Sequence, residues 1–201
     1  MRSLIEQSRD PGAPYTVCRV FSDKPDAAGL VLARNLGVPA QALVPAATTD
    51  RAAYDRALAA AIQIYSPSLI VLAGFMRILS PAFVRDFAGK ILNIHPSLLP
   101  KFPGLHTHRR VLDAHEPEHG ATVHFVTEQL DGGPPVIQAR IAVTPNDDEA
   151  SLAARVQAQE HRIYPVAVRW FCEGRLRYDG GRAWLDGKLL REPVQFTGAE
   201  P

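Results

Sequence analysis

Short apolar runs rich in β-branched residues alternate along this chain with segments of helical periodicity, and that alternation restricts the fold more than any single motif. The runs are YTVCRVFS (Tyr15 to Ser22), SLIVLA (Ser68 to Ala73), KILNI (Lys90 to Ile94), ATVHFV (Ala121 to Val126) and VIQARIAV (Val136 to Val143). Between them, Asp26 to Leu36 ends at Gly37, a residue suited to a helix C-cap. Thr49 can cap a helix reaching Tyr65, with Ala53, Ala57, Ala60, Ala61 and Ile64 along one side. Ser80-Pro81 pairs an N-cap with proline at the first helical position, and Gly89 closes that helix. Strands alternating with helices predict an α/β fold: an open, mostly parallel sheet flanked by helices. At 201 residues the chain suits a single domain, 1–201, large enough to bury its own core.

The last third changes character. From about Glu149 one long helix places Leu152, Val156, Ile163, Val166, Trp170 and Phe171 near one stripe, with a kink at Pro165 and an end at Gly174. Asp186-Gly187 then reads as the turn of a small hairpin in an antiparallel C-terminal part, and the tail is expected to fray from about Pro193. Met1 to Arg9 already reads as a helix, with no strand or capping residue ahead of it.

Charge excludes some functions. There are 22 Lys+Arg against 21 Asp+Glu, a net charge of +1, and no block of like charge. That argues against a nucleic-acid or membrane surface as partner. No apolar run has the length of a transmembrane helix, and Met1 opens onto Arg2, Glu6 and Arg9 rather than a signal-peptide core. The expected location is cytoplasmic. Cys18 and Cys172 stand among apolar neighbours without metal-ligand spacing and are expected as buried free thiols.

Chemistry concentrates in two segments. In Ile91-Leu92-Asn93-Ile94-His95-Pro96 a buried strand ends in an amide and an imidazole two residues apart, hence on one face. Ligands gather at the carboxyl ends of strands in open α/β sheets. Asn93 offers a neutral donor for a developing oxyanion, and His95 a group that titrates near neutral pH. In Glu128-Gln129-Leu130-Asp131-Gly132-Gly133, Asp131 can hold His95 in one tautomer and raise its pKa, favouring the imidazolium as a general acid. The plainer alternatives are an Asn and a His that tie down a turn, and an ordinary turn aspartate. His115-Glu116-Pro117-Glu118-His119 matches the zinc pattern H-E-x-x-H by letters, but Pro117 would break the helix that pattern needs. His106-Thr107-His108 suits a loop leading into a helix, so no metal is expected.

The segments GFMRILSP, NIHPSLLPKFPGLHTH, VHFVTEQLDGGP and RVQAQEHRIYP, in this order, closely resemble the phosphoribosylglycinamide formyltransferases. The resemblance runs from about Ser3 to Leu190. Other formyltransferases and formyltetrahydrofolate deformylases share an Asn-x-His and a later Asp; the run PSLLPKFPGLHTH looks like the glycinamide enzyme. It implies a Rossmann-like formyltransferase fold and transfer of a formyl group from 10-formyltetrahydrofolate, a co-substrate, to the amine of glycinamide ribonucleotide. Neither metal nor covalent nucleophile is implied. The family's catalytic trio falls on Asn93, His95 and Asp131. Its folate contacts fall on Arg51, on Met76, Arg77, Ile78 and Leu79, on Asn93, and on Thr127, Glu128, Gln129, Leu130 and Asp131. Its nucleotide contacts fall on Gln157, Ala158, Gln159 and Glu160, where Glu160 could hold the glycyl amine. Family members begin with a strand and a Gly-rich phosphate-binding turn, and Met1 to Ile5 resembles the helix after that turn. The expectation is therefore a true start upstream of Met1. The alternatives are a formyltetrahydrofolate hydrolase and a non-catalytic folate-binding remnant without the phosphate loop. Oligomeric state stays open.

Overall fold

A computed structural model describes residues 1–46 and 50–198. They fall into two compact units: Met1–Ser68 with Arg77–Phe87, and Leu69–Met76 with Ala88–Pro201.

The first unit holds helices α1 (Arg2–Gln7), α2 (Ala28–Asn35), α3 (Arg51–Gln63) and α4 (Pro81–Asp86) and strands β1 (Val20–Ser22) and β2 (Ala40–Ala42). β1 and β2 pair in parallel, Phe21 opposite Gln41. Ile5 and Ala33, both 0% exposed, and Val38 form its core, with Val17, Val20 and Leu36 packed on it. Only the end of the expected run Tyr15 to Ser22 joins a ladder. Its first half alternates, Val17 turned to the core and Thr16 and Cys18 outward, so Cys18 is exposed, contrary to expectation. The proposed Thr49 cap lies outside the described residues. Asp50 caps α3, its Oδ1 accepting from Ala53 N at 2.6 Å. Asp55 on α3 is 1% exposed, and its Oδ2 accepts from Ser80 N at 2.5 Å. That anchors the residue whose hydroxyl accepts from Phe83 N and opens α4 at Pro81.

The second unit holds β3 (Ile70–Leu72), β4 (Ile91–His95), α5 (Thr107–Asp113), β5 (Glu118–Phe125), β6 (Pro135–Ala142), α6 (Glu149–Cys172) and β7 (Leu176–Asp179). β8 (Arg182–Leu185), β9 (Lys188–Leu189) and β10 (Val194–Gln195) complete it. Its five-stranded sheet runs β10-β6-β5-β4-β3. β3 and β4 are parallel, β5 is antiparallel to both β4 and β6, and β6 and β10 are parallel. Between Val123 and His124 the β5–β6 register shifts, Val136 being the additional residue on β6. α6 packs on β5 and β6 with Leu152, Val156 and Ile163 at 0% exposure. It is one continuous helix through the buried Pro165, which costs it one backbone donor. The Tyr164 hydroxyl lies 2.8 Å from both Leu72 O and Leu92 O, so its single proton serves one carbonyl at a time.

Two further expectations need correction. The tail does not fray at Pro193: Val194 and Gln195 pair with Ile137 and Gln138, and Phe196 N donates to Gln138 O at 2.8 Å. The edge of β6 needs partners for its backbone, and the tail supplies them. Cys172 is only half-buried. The H-E-x-x-H letters are not helical, since α5 ends at Asp113 and His119 lies in β5. The hairpin turn at Asp186-Gly187 has φ of 51° and 76°, the double positive φ of a tight two-residue turn.

His119, 1% exposed, has its Nε2 2.9 Å from His108 Nδ1. Burial first, then repulsion from charge on His108 and His95, pushes His119 down from 6.5 to about 4. The folded chain therefore holds this ring neutral at pH values where the unfolded chain protonates it. Its stabilisation is complete above the unfolded value and is lost as pH falls toward about 4, by up to about 3 kcal/mol. Urea unfolding at about pH 7 and about pH 5 should show wild type losing more stability than His119→Phe. An equal loss in both proteins would refute this.

Candidate active site

Five groups converge at the C-terminal end of β4. Asn93 and His95 stand two residues apart on one face of that strand. β5 runs antiparallel beside it, with His124 directly opposite Asn93 and Thr122 opposite His95. Asp131 comes from the loop joining β5 to β6, in a left-handed conformation with φ 49°. Gly133 lets that loop return, because a Cβ there would run into the Phe125 carbonyl oxygen.

The hydrogen bonds assign protons. His95 Nε2 is 2.9 Å from Phe102 O; a carbonyl only accepts, so Nε2 carries a proton and donates. His95 Nδ1 faces Asp131 Oδ2 at 3.5 Å, both side chains under 10% exposed. That separation exceeds an ordinary N–H···O bond, so Nδ1 is the ring atom left for chemistry. Asp131 Oδ2 also accepts from Gly104 N at 2.8 Å, which fixes the carboxylate. His124 Nδ1 is 2.9 Å from Phe125 O and so carries its proton there, leaving Nε2 as an acceptor for Asn93 Nδ2–H at 3.2 Å. Burial, the largest cause, pushes His124 down; its bond to Phe125 O and the Asp131 charge oppose this, and charge on His95 adds to it. Asn93 keeps one N–H free of that bond.

The chain thus brings Asn93, His95 and Asp131 together. Sequence reasoning missed His124, the Phe102 carbonyl and the Gly104 N–H. His124 stands in the quoted run VHFV, and only the β4–β5 register, which no local pattern reveals, puts it across from Asn93. Thr127 bonds within its own loop through Gln129 O at 3.4 Å, while Glu128, Gln129 and Leu130 face solvent and Met76 is 78% exposed. In the first unit, Arg51 opens α3 and is exposed, Ile78 is exposed and Leu79 half-buried. Arg77 stacks 4.4 Å over the Tyr54 ring and lies 4.0 Å from Asp23. On α6, Gln157 and Ala158 are exposed, and Gln159 accepts from Arg162 at 3.5 Å. Glu160 is half-buried, and desolvation raises its carboxyl above the ordinary value. Among the described residues no group of three or more His, Cys, Asp or Glu is placed to hold a metal ion.

Comparison with known proteins identifies the chain's relatives. The family described as formyl transferase matches residues 1–168. The chain is 52% identical to the phosphoribosylglycinamide formyltransferase of Escherichia coli (strain K12) over 200 residues, 100% of this chain and 93% of that protein. It is 44% identical to the Haemophilus influenzae enzyme of the same name over 190 residues, covering 94% and 90%. The solved structure of phosphoribosylglycinamide formyltransferase from Coxiella burnetii superposes with a TM-score of 0.90 at 43% identity, over 97% of this chain and 92% of that one.

A neutral His124 has a spectroscopic consequence. Long-range 1H–15N spectra at about pH 6.5, where an exposed histidine is about half protonated, should show His124 less protonated than that and as the Nδ1–H tautomer. A doubly protonated His124 at that pH would overturn the assignment.

Proposed function

This chain belongs to the formyl transferase family, and we propose that it transfers the formyl group of 10-formyltetrahydrofolate to the amine of N1-(5-phosphoribosyl)glycinamide, a step of de novo purine biosynthesis. The observation that carries the reading is the convergence of Asn93, His95 and Asp131 at one strand end, in a chain half identical to an enzyme of that name. The open, mixed α/β sheet and the long C-terminal helix are those of the formyltransferase fold.

The chemistry assigns each residue a task. The substrate amine attacks the formyl carbon, the carbonyl oxygen takes up negative charge, and the bond from that carbon to the folate nitrogen then breaks. Asn93 donates its remaining amide N–H to the developing oxyanion, held in place by His124. His95, anchored through Nε2 on Phe102, works through Nδ1 as acid or relay: the amine gives up a proton and the departing nitrogen gains one. Asp131 orients the ring and takes part in that transfer, itself fixed by Gly104 N. Folate is expected against Arg51, Met76, Arg77, Ile78, Leu79, Asn93 and Thr127 to Asp131. The glycinamide side is expected against Gln157 to Glu160, where desolvation of the Glu160 carboxyl suits a short contact to an amine. The chain is read as one working domain, in the cytoplasm, acting on small molecules. No helix among the described residues is long and apolar enough to cross a membrane.

His95→Ala and Asp131→Ala should each lower kcat by about 100-fold or more, with folate binding changed by about threefold at most. Steady-state kinetics paired with calorimetric folate titration separate the two effects. Near-full turnover in either variant would sink the assigned roles. Rapid formate release from 10-formyltetrahydrofolate without the nucleotide would instead favour the hydrolase.

A further inference from the structure

The loop after β4 carries the carbonyl that fixes His95, and side chains from β5 and β6 hold it in addition to its own internal bonds. Phe102 sits at φ 54°, a conformation a bulky residue adopts only when its surroundings impose it. Between Ser97 and Lys101 alternate backbone carbonyls are each taken by a side chain. Thr122 Oγ1 donates to Ser97 O at 2.7 Å, Gln138 Nε2 donates to Leu99 O at 2.8 Å, and Ser97 Oγ donates to Lys101 O at 2.7 Å. Ser97 and Thr122 are 0% exposed and Gln138 3%.

The orientation of the Gln138 amide follows from its partners. Nε2 spends both hydrogens, one on Leu99 O and one on Thr122 Oγ1 at 2.9 Å. A flipped amide would turn its oxygen toward the Leu99 carbonyl, acceptor against acceptor. On the other side Gln138 Oε1 accepts from Gln195 Nε2 at 3.4 Å. Gln195 is itself oriented by Arg140, whose Nε donates to Gln195 Oε1 at 2.8 Å; a guanidinium has no acceptor, so that side of Gln195 must be its oxygen. Arg140 pairs with Glu118 at 3.2 Å.

We infer that Gln138 is a positioning residue for His95, its buried amide set by Gln195 of β10 and holding the Ser97–Phe102 loop so that the Phe102 carbonyl keeps the proton on His95 Nε2. Gln138 touches no reacting atom. It acts through Leu99 and Thr122 on the loop, and through Phe102 on the ring that presents Nδ1. The effect on turnover rests on the transferase reading above; the effect on the ring tautomer does not.

The test pairs two readouts on Gln138→Met, which keeps the shape and removes the donors, and on Gln195→Ala, a change at an exposed strand position. In ligand-free protein, long-range 1H–15N spectra should show His95 Nε2 as a protonated nitrogen in wild type, and shifted toward a tautomer mixture in Gln138→Met. In formyl transfer, kcat should fall about tenfold in Gln138→Met and about threefold in Gln195→Ala, with KM for the folate within about twofold. A folded Gln138→Met with an unchanged His95 signal and kcat within about twofold of wild type would overturn the inference, even if its Tm had dropped. If Gln138→Met does not fold, Gln195→Ala decides by the same signal and the same kcat. Wild-type protein that transfers no formyl group would remove the transferase reading, and the His95 spectra would still decide the role of Gln138.

Discussion

The antiparallel register between β4 and β5 is the constraint on which the rest of this site depends. It sets His124 across from Asn93 and Thr122 across from His95. The first pairing aims an amide, and the second places the hydroxyl that grips the loop behind the imidazole. A slip of one residue would turn every side chain of β4 to the opposite face, moving the 0%-exposed Leu92 out of the core and Asn93 into it. Burial of Leu92, Val123 and Phe125, all on the opposite face, therefore specifies the chemistry as firmly as it specifies the sheet. No energy has to be spent separately on aligning the polar groups, because the apolar ones have already chosen the register.

Two kinds of imidazole surround this register. His119 and His124 are buried, and desolvation lowers both pKa values, favouring neutral rings that act as a fixed donor or acceptor. Both His95 and His124 place a backbone carbonyl at one nitrogen and Asp131 beside the other, at 3.5 Å from His95 Nδ1 and 3.8 Å from His124 Nε2. Burial sets the two apart, because desolvation disfavours charge on the His124 ring, which therefore serves to aim Asn93.

Much of this could be read from residues alone. Asn93 and His95 are legible because alternation in a strand is a local rule, and Asp131 because its two following glycines mark a loop that closes on something. His124, Phe102 and Gly104 were not legible. The first depends on a register between strands, and the other two contribute backbone atoms, for which residue identity carries little signal. The same distinction explains the tail and the thiol. Val194 and Gln195 look like a frayed end until the open edge of β6 is known to lie beside them. Cys18 looks buried until the strand is seen to start only at Val20, leaving an extended lead-in whose alternate side chains face outward. The Asp50 cap stood one residue from the expected one, an ambiguity typical of helix starts in which adjacent residues can both accept.

The additional residue at Val136 has an evolutionary consequence. Deleting it would give β5 and β6 an unbroken ladder, a more regular sheet than the present one. Val136 lies on the strand side of the His124–Pro135 pair, so the same deletion would keep the length of the Asp131 loop but change the twist with which that loop leaves the sheet, and with it the aim of the carboxylate at His95. Purifying selection on this stretch should therefore act on chain length as well as on residue identity. Substitutions at exposed Glu128 or Leu130 could accumulate between lineages while insertions and deletions between Phe125 and Ile137 are purged, even those that would make the sheet more ideal. Irregularity here is a setting that descent has to copy.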